Sequence, residues 1–206
     1  MATRRYEQRL RAEAAEETRR RILDAVYERL REAPSQPVSV NRIARMAGVA
    51  RSTVYLIFGS RAGLFDALAR DLMDRAGFAK LLEAVSHPDA REHMRGGIAA
   101  GARIFAADRD VARALYSMSL LDEEAVGDAI RRSEENRSRG MRRLARLLAE
   151  QGHLRDDVTV EEATHLLWVW TSFDAFDLLY TARKLPLEEV IRLLTQGAER
   201  AVLKPS

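Results

Sequence analysis

The chain of 206 residues contains no cysteine. Disulfides, thiolate metal sites and thiol nucleophiles are therefore excluded. No apolar run approaches the roughly 20 residues of a membrane-spanning helix. The first stretch, MATRRYEQRLRAEAAEETRRR, is charged throughout and has no apolar signal core. The expected location is the cytoplasm, with no membrane partner. No segment alternates as a half-buried strand does, no repeat of fixed period occurs, and no low-complexity linker separates the start of the chain from its body. The patterns of catalysis are missing too: there is no phosphate-binding glycine loop and no GxSxG elbow. The 4 histidines, His87, His93, His153 and His165, lack HExxH spacing. Gly96, Gly97 and Gly101 lie in a helical pattern and read as packing or a kink. The expectation is a non-enzyme with no catalytic residue, no metal and no cofactor.

What is present is apolar, at 47% of residues, enough to bury a core. The charge is unevenly spread. Residues 1–60 carry 12 Arg against 7 Asp and Glu, whereas the remainder carries 22 basic against 24 acidic residues. A basic end on a slightly acidic body fits contact with a polyanion, or a solvated charged helix face.

Nearly every segment has helical period. Ile22, Leu23, Val26, Tyr27 and Leu30 mark a first helix, opened by Arg19, Arg20 and Arg21 and stopped at Pro34-Ser35-Gln36-Pro37. The pattern predicts further helices over 61–77, 89–107, 109–119, 122–151, 160–182 and 187–203, with His87-Pro88, Gly152 and Pro186 among the breaks. The fold class expected is all-α: an N-terminal three-helix bundle with a helix-turn-helix over 1–60, then a helical body over 61–206.

The most informative stretch is SVNRIARMAGVARSTVYLIFGSRAGLF. Ser39 suits an N-cap, its hydroxyl taking a free backbone N–H. Val40, Ile43, Ala44 and Ala47 fall on one helix face, and Gly48 ends that helix where a left-handed residue is needed. Val49 is an apolar plug. A second short helix starts near Arg51, with Val54 and Phe58 four apart and inward. Arg51, Ser52, Thr53 and Tyr55 remain outside. So short a helix gains little from its own hydrogen bonds, so neighbours must hold it and its other face is free to enter a groove. Arg, Ser, Thr and Tyr are residues that serve base edges and phosphates. A plain helical corner in an adaptor that binds proteins rather than DNA is the alternative.

These residues resemble the DNA-binding signature of the tetracycline-repressor (TetR) family of bacterial transcription regulators. The matching elements are Ile43-Ala44, Ala47-Gly48-Val49, Thr53-Val54-Tyr55, Phe58, Ser60-Arg61 and Leu64, within about 30 residues. The resemblance implies a homodimer that binds double-stranded DNA, most often as a repressor on a palindromic operator, released by a small-molecule effector. It implies phosphate contacts for Tyr55 and Arg61, and a major-groove position for Arg51, Ser52 and Thr53; Ser39 completes the DNA-facing set. The chain departs from the family at Ala50, where a capping Ser is frequent, at Ser52, where Gly is frequent, and just before Phe58, where an aromatic or His is common and Leu56 and Ile57 occupy the neighbourhood. Leu56 and Ile57 either touch a thymine methyl or pack. Arg4, Arg5, Arg9 and Arg11 form either a charged tail or an arm reaching phosphate or a minor groove.

Beyond residue 78 the motifs are less sharp. EEATHLLWVWTSFDAFDLLY is apolar on more than one face, so one side fits the chain's own core and the other a second subunit. The family's dimer contact near the C-terminus makes Trp168, Ala175, Leu194, Ala198 and Ala201 the expected interface. Phe105, Met118, Trp170, Phe173 and Asp177 are the expected effector site. Asp174 and Asp177 share a helix face. If buried, they need a partner such as a ligand amine or Arg103; otherwise they lie at an exposed helix edge.

Overall fold

The computed structural model describes residues 2–34, 36 and 38–205, with backbone alone at 2–5, 7–9 and 11. The arm residues Arg4, Arg5, Arg9 and Arg11 therefore have side chains outside the described residues, as do Ser35 and Pro37 of the first breaker. Among the described residues there is no strand, only an isolated bridge between Leu154 and Leu203.

Two compact units are built from non-contiguous chain. The first takes residues 1–71 and 113–130, the second 72–112 and 131–206. The sequence pattern suggested a contiguous boundary at 60/61. Nothing local marks residues 113–130 as partners of the chain's first helices.

In the first unit, α1 (Ala2–Glu32) begins well ahead of Arg19. The tail-like RRYEQRLRAEAAEE is rich in Ala, Glu and Arg, strong helix formers, and this backbone is helical. Helices α2 (Val40–Met46) and α3 (Arg51–Phe58) follow, then α4 (Arg61–Arg75). Ile22, Leu23, Val26 and Leu30 of α1 are buried with Ile43 and Ala44 of α2, Val54 of α3, and Leu64, Phe65 and Leu68 of α4. Gly48 has φ +66, the left-handed turn that a side chain would oppose. Ser39 stands at the N-cap of α2 with extended backbone, but its hydroxyl makes no cap hydrogen bond, contrary to expectation; the side chain is exposed instead.

In the second unit, α5 (Phe78–Ala84) packs on α6 (Ala90–Ala107), and α6 packs on α11 (Leu187–Val202). Helix α5 was not expected: it is a helix of about two turns with no buried residue of its own, too brief to show a period. Asp89 caps α6, accepting from the Arg91 and Glu92 amides at 2.8 and 3.0 Å. Helix α7 (Arg109–Ser119) runs from this unit into residues 113–130 of the first, where a π-helical turn, Glu123–Gly127, leads to α8 (Asp128–Glu150). The run expected as one helix over 160–182 is broken. Helix α9 (Val160–Trp170) ends at Thr171, and α10 (Phe173–Asp177) starts afresh before a second π turn, Leu178–Ala182. The cause is two adjacent hydroxyls. Thr171 Oγ1 donates back to the Leu167 carbonyl at 2.8 Å, and Ser172 Oγ accepts from the Ala175 amide at 3.1 Å as a new cap.

Helices α9 and α11 meet at Gly197, where a Cβ would lie 2.6 Å from the Trp170 ring. Gly197→Ala must displace that ring, an overpacking cost of about 1–3 kcal/mol. Melting is expected to fall by about 3–10 °C. Gly101→Ala meets nothing within 4 Å and removes a helix-interior glycine, so its melting temperature should rise by a few degrees. Equal melting of the two variants would contradict this packing.

Candidate functional site

The outward side of α3 is polar except at one point. Arg51 and Ser52 are exposed, Thr53 and Tyr55 are half-buried, and Leu56 is 86% exposed. Val54 is buried beneath them. Arg51 lies 5.4 Å over the Tyr55 ring and its Nη2 donates to the Tyr55 hydroxyl at 3.4 Å. This pairs two side chains that both suit phosphate and keeps them on one side of the helix. From behind, the Arg19 guanidinium sits 5.7 Å over Phe58, so Arg19 braces α3 rather than standing free, while Arg20 and Arg21 are exposed. Ala50 provides no side-chain cap at the head of α3. The Thr53 amide already donates to the Ala50 carbonyl at 3.0 Å, and the amides ahead of it at a helix start suit a phosphate oxygen. On α2, Arg42 and Arg45 are exposed at i, i+3, beside Ser39. They were not singled out in the sequence, although their spacing within the short helix was readable.

Arg61 is held from two sides. Its Nη2 donates to the Val38 carbonyl at 3.1 Å, and Nη1 forms an ion pair with Asp122. The Phe65 ring lies 5.5 Å beneath. Asp122 also caps the first π turn through the Ala125 amide at 3.3 Å. An acid distant in sequence thus occupies the guanidinium that the family signature assigns to a phosphate. No local pattern in the sequence announces it.

The second unit holds an aromatic cluster. Phe105 meets Phe173 edge-on at 5.3 Å and Phe176 at 5.7 Å, and Phe176 stacks on Tyr180 at 5.0 Å. Beside it lies a cavity of about 20 Å³, lined among others by Gly101, Phe105, Trp170, Phe176 and Leu194. That volume holds about one water. Of the expected effector residues, Phe105 and Trp170 line this cavity, and Phe173 is buried against the Phe105 ring. Met118 does not join them: it is a buried residue of the first unit. Asp177 is buried, not an exposed edge, and its partner is neither Arg103 nor an unfilled position. Arg109 grips it with two hydrogen bonds, Nε to Oδ1 at 2.5 Å and Nη2 to Oδ2 at 2.8 Å, and the Thr181 hydroxyl donates to Oδ1 at 2.6 Å. The Asp177 carboxylate in turn pushes the Arg109 pKa up, chiefly by that hydrogen bonding. Arg103 pairs with Glu188 instead, and Asp174 is exposed.

Of the expected interface residues, Leu194 and Ala198 are corrected. Both are buried in the chain's own core and offer no side chain to a partner. Ala175 and Ala201 are half-buried. Trp168 is 39% exposed and fixed in place. Its indole N–H donates to Glu134 at 3.0 Å, and Arg137 lies 5.1 Å over its ring. Val169 and Leu178 are more exposed still, at 53% and 64%.

Among the described residues, no group of three or more His, Asp or Glu is placed to hold a metal ion, and no helix is long and apolar enough to cross a membrane. Burial, and after it the charges of Arg143 and His87, lower the pKa of His93 below the ordinary imidazole value.

The family model for bacterial regulatory proteins of the tetR family matches residues 22–68, the segment that carries α2, α3 and the start of α4. The chain's fold is similar to a TetR transcription regulator from Haloarcula marismortui, at TM-score 0.70 and 19% identity over 90% of this chain and 98% of that one. It is also similar to the ketosteroid transcriptional regulator KstR2 of Mycobacterium tuberculosis, at TM-score 0.65 and 17% identity over 91% and 95%. The fatty acid degradation regulator FadR from Bacillus halodurans gives TM-score 0.64 and 18% identity over 87% and 93%. No curated protein sequence matches the chain. Residues 22–68 thus carry the helix-turn-helix of the tetR family, and the all-helical fold of the chain is similar to the folds of TetR-family regulators.

Asp122→Asn tests the lock on Arg61. The amide can still cap the π turn but no longer holds a cation by charge. Duplex affinity at about 50 mM salt should rise by up to about fivefold for each freed arginine, the scale of a partly exposed ion pair. Fluorescence anisotropy would read it. A fall in affinity would instead make Asp122 the group that holds Arg61 in place for DNA.

Proposed function

We propose that the chain is a homodimeric repressor that binds a roughly palindromic operator and leaves it when a small apolar molecule binds the body. Residues 1–60 would read DNA, and residues 61–206 would hold the effector and the dimer contact. The observation that carries this is α3: eight residues, one buried, with Arg51, Ser52, Thr53 and Tyr55 on the open side. Tyr55 and Arg61 are the proposed phosphate ligands, joined by Ser39 at the head of α2, and Arg51, Ser52 and Thr53 face the bases.

The effector site proposed is the cavity beside Phe105 and Trp170, with Phe173 behind it. As it stands it admits about one water, so an effector must open it by moving aromatic side chains. Its lining calls for an apolar molecule; two of the similar structures are titled as regulators concerned with ketosteroids and fatty acid degradation, in keeping with that chemistry. Asp177 is already neutralised by Arg109, so the role proposed for it is positioning α7, whose first residue is Arg109, rather than gripping a ligand amine. Coupling of about 1–3 kcal/mol would change operator affinity about 5–150-fold, and DNA must weaken effector binding by the same factor.

The dimer contact proposed uses the exposed apolar side of α9, α10 and the π turn after it: Trp168, Val169, Ala175 and Leu178, with Ala201 at its edge. An indole already fixed by a hydrogen bond to Glu134 and by the Arg137 guanidinium over its ring loses little freedom on docking.

Selection of random duplexes by the full chain tests DNA reading. Enrichment of an inverted repeat with half-site centres about 34–36 Å apart supports the dimeric reader; failure to enrich any sequence contradicts it. For assembly, Val169→Glu and Leu178→Glu together should give folded monomers at micromolar concentration by sedimentation, with operator affinity lost. A dimer unaffected by both charges would place the interface elsewhere.

A further inference from the structure

Single exposed leucines are ordinary on protein surfaces. Leu56 is distinguished by its place. It lies on α3 one turn beyond Ser52 and next to Tyr55, in the middle of the open side of the helix that would enter the groove. At 86% exposure it supports no core, because Val54 serves that purpose on the opposite side. Its neighbour Ile57 is half-buried, so of the two apolar residues here only Leu56 stands clear of the protein.

The major-groove edges of the four base pairs present hydrogen-bond donors and acceptors, and one apolar group, the C5-methyl of thymine. A leucine pressed against the amino group of cytosine or the edge of guanine would strip water from polar atoms and return no hydrogen bond, which is unfavourable. Against a thymine methyl, both partners leave water together. We infer that Leu56 is a specificity-determining residue that reads the methyl group of one thymine in each operator half-site. The inference rests on the DNA-reading function proposed above. It adds to that function a defined base and a defined atom.

The probe is a duplex enriched from a random library by the wild-type chain. Each thymine is then replaced singly by deoxyuridine, which removes the methyl and leaves every hydrogen-bonding group in place. One position per half-site should lower wild-type affinity about fourfold, the scale of one buried methyl, and both together about sixteenfold. Leu56→Ala, at so exposed a site, should keep its helix content and bind thymine and deoxyuridine duplexes equally. The inference fails if no thymine is sensitive, or if the sensitivity persists undiminished in Leu56→Ala, since another side chain then touches the methyl. Loss of all binding by a folded Leu56→Ala also overturns it, because one methyl contact cannot carry the whole affinity. If the wild type enriches no duplex, the DNA-reading function itself fails, and the inference with it. That result is distinct from enrichment without methyl dependence.

Discussion

An eight-residue helix cannot stand on its own hydrogen bonds. That constraint on α3 organises the whole first unit. Val54 is its one buried side chain, and the Arg19 guanidinium over Phe58 adds a second hold from α1. Helix α2 meets it through the Gly48 turn. Because every hold lies on one side, the other side is left open, and what remains there is Arg51, Ser52, Tyr55 and Leu56. The open face is a consequence of how little of α3 the core needs.

The same unit already pairs the guanidinium proposed for a phosphate. Arg61 follows α3 directly and is aimed by the Val38 carbonyl, yet its charge is met by Asp122 from a segment far along the chain. In the body the arrangement is similar: Asp177, buried beside the aromatic cluster, is satisfied by Arg109 and Thr181. Breaking the largely buried Asp177–Arg109 pair would leave a charge without its partner, which costs more than the pair itself contributes, whereas the partly exposed Arg61–Asp122 pair is a weaker preference. Both pairs therefore favour one arrangement of their elements over any in which the partners separate. A regulator needs such preferences, since a ligand acts only by binding one arrangement better than another.

Much of this was legible in the sequence, for identifiable reasons. Helix-turn-helix geometry is local, so Ile43, Ala44, Gly48 and Val54 announce it within a few turns of each other. The long helices α6 and α11 show their period plainly. What was hidden is non-local. Asp177 and Arg109 are 68 residues apart, and no spacing rule pairs them in preference to Arg103. Asp122 lies in a loop. Leu194 and Ala198 show how far periodicity reaches: it identifies an apolar stripe on α11, but not whether that stripe meets the chain's own core or a second subunit. Gly197 is a site of close approach whose neighbour is Trp170 of the same chain. The break at Thr171-Ser172 was masked by the strongly apolar residues on either side.

The central claim is that the open side of α3, with the arginines around it, meets the phosphate backbone of duplex DNA. Salt dependence measures this directly. If Arg61 and one of Arg42 or Arg45 each neutralise a phosphate in both heads of a dimer, the logarithm of the binding constant should fall linearly with the logarithm of salt, with a slope of about −3.6 or steeper. The titration would be done with the full chain and a duplex from about 50 to 200 mM salt. A slope of that size is the expected result. Binding indifferent to salt, or no duplex binding at any point in the range, would contradict it.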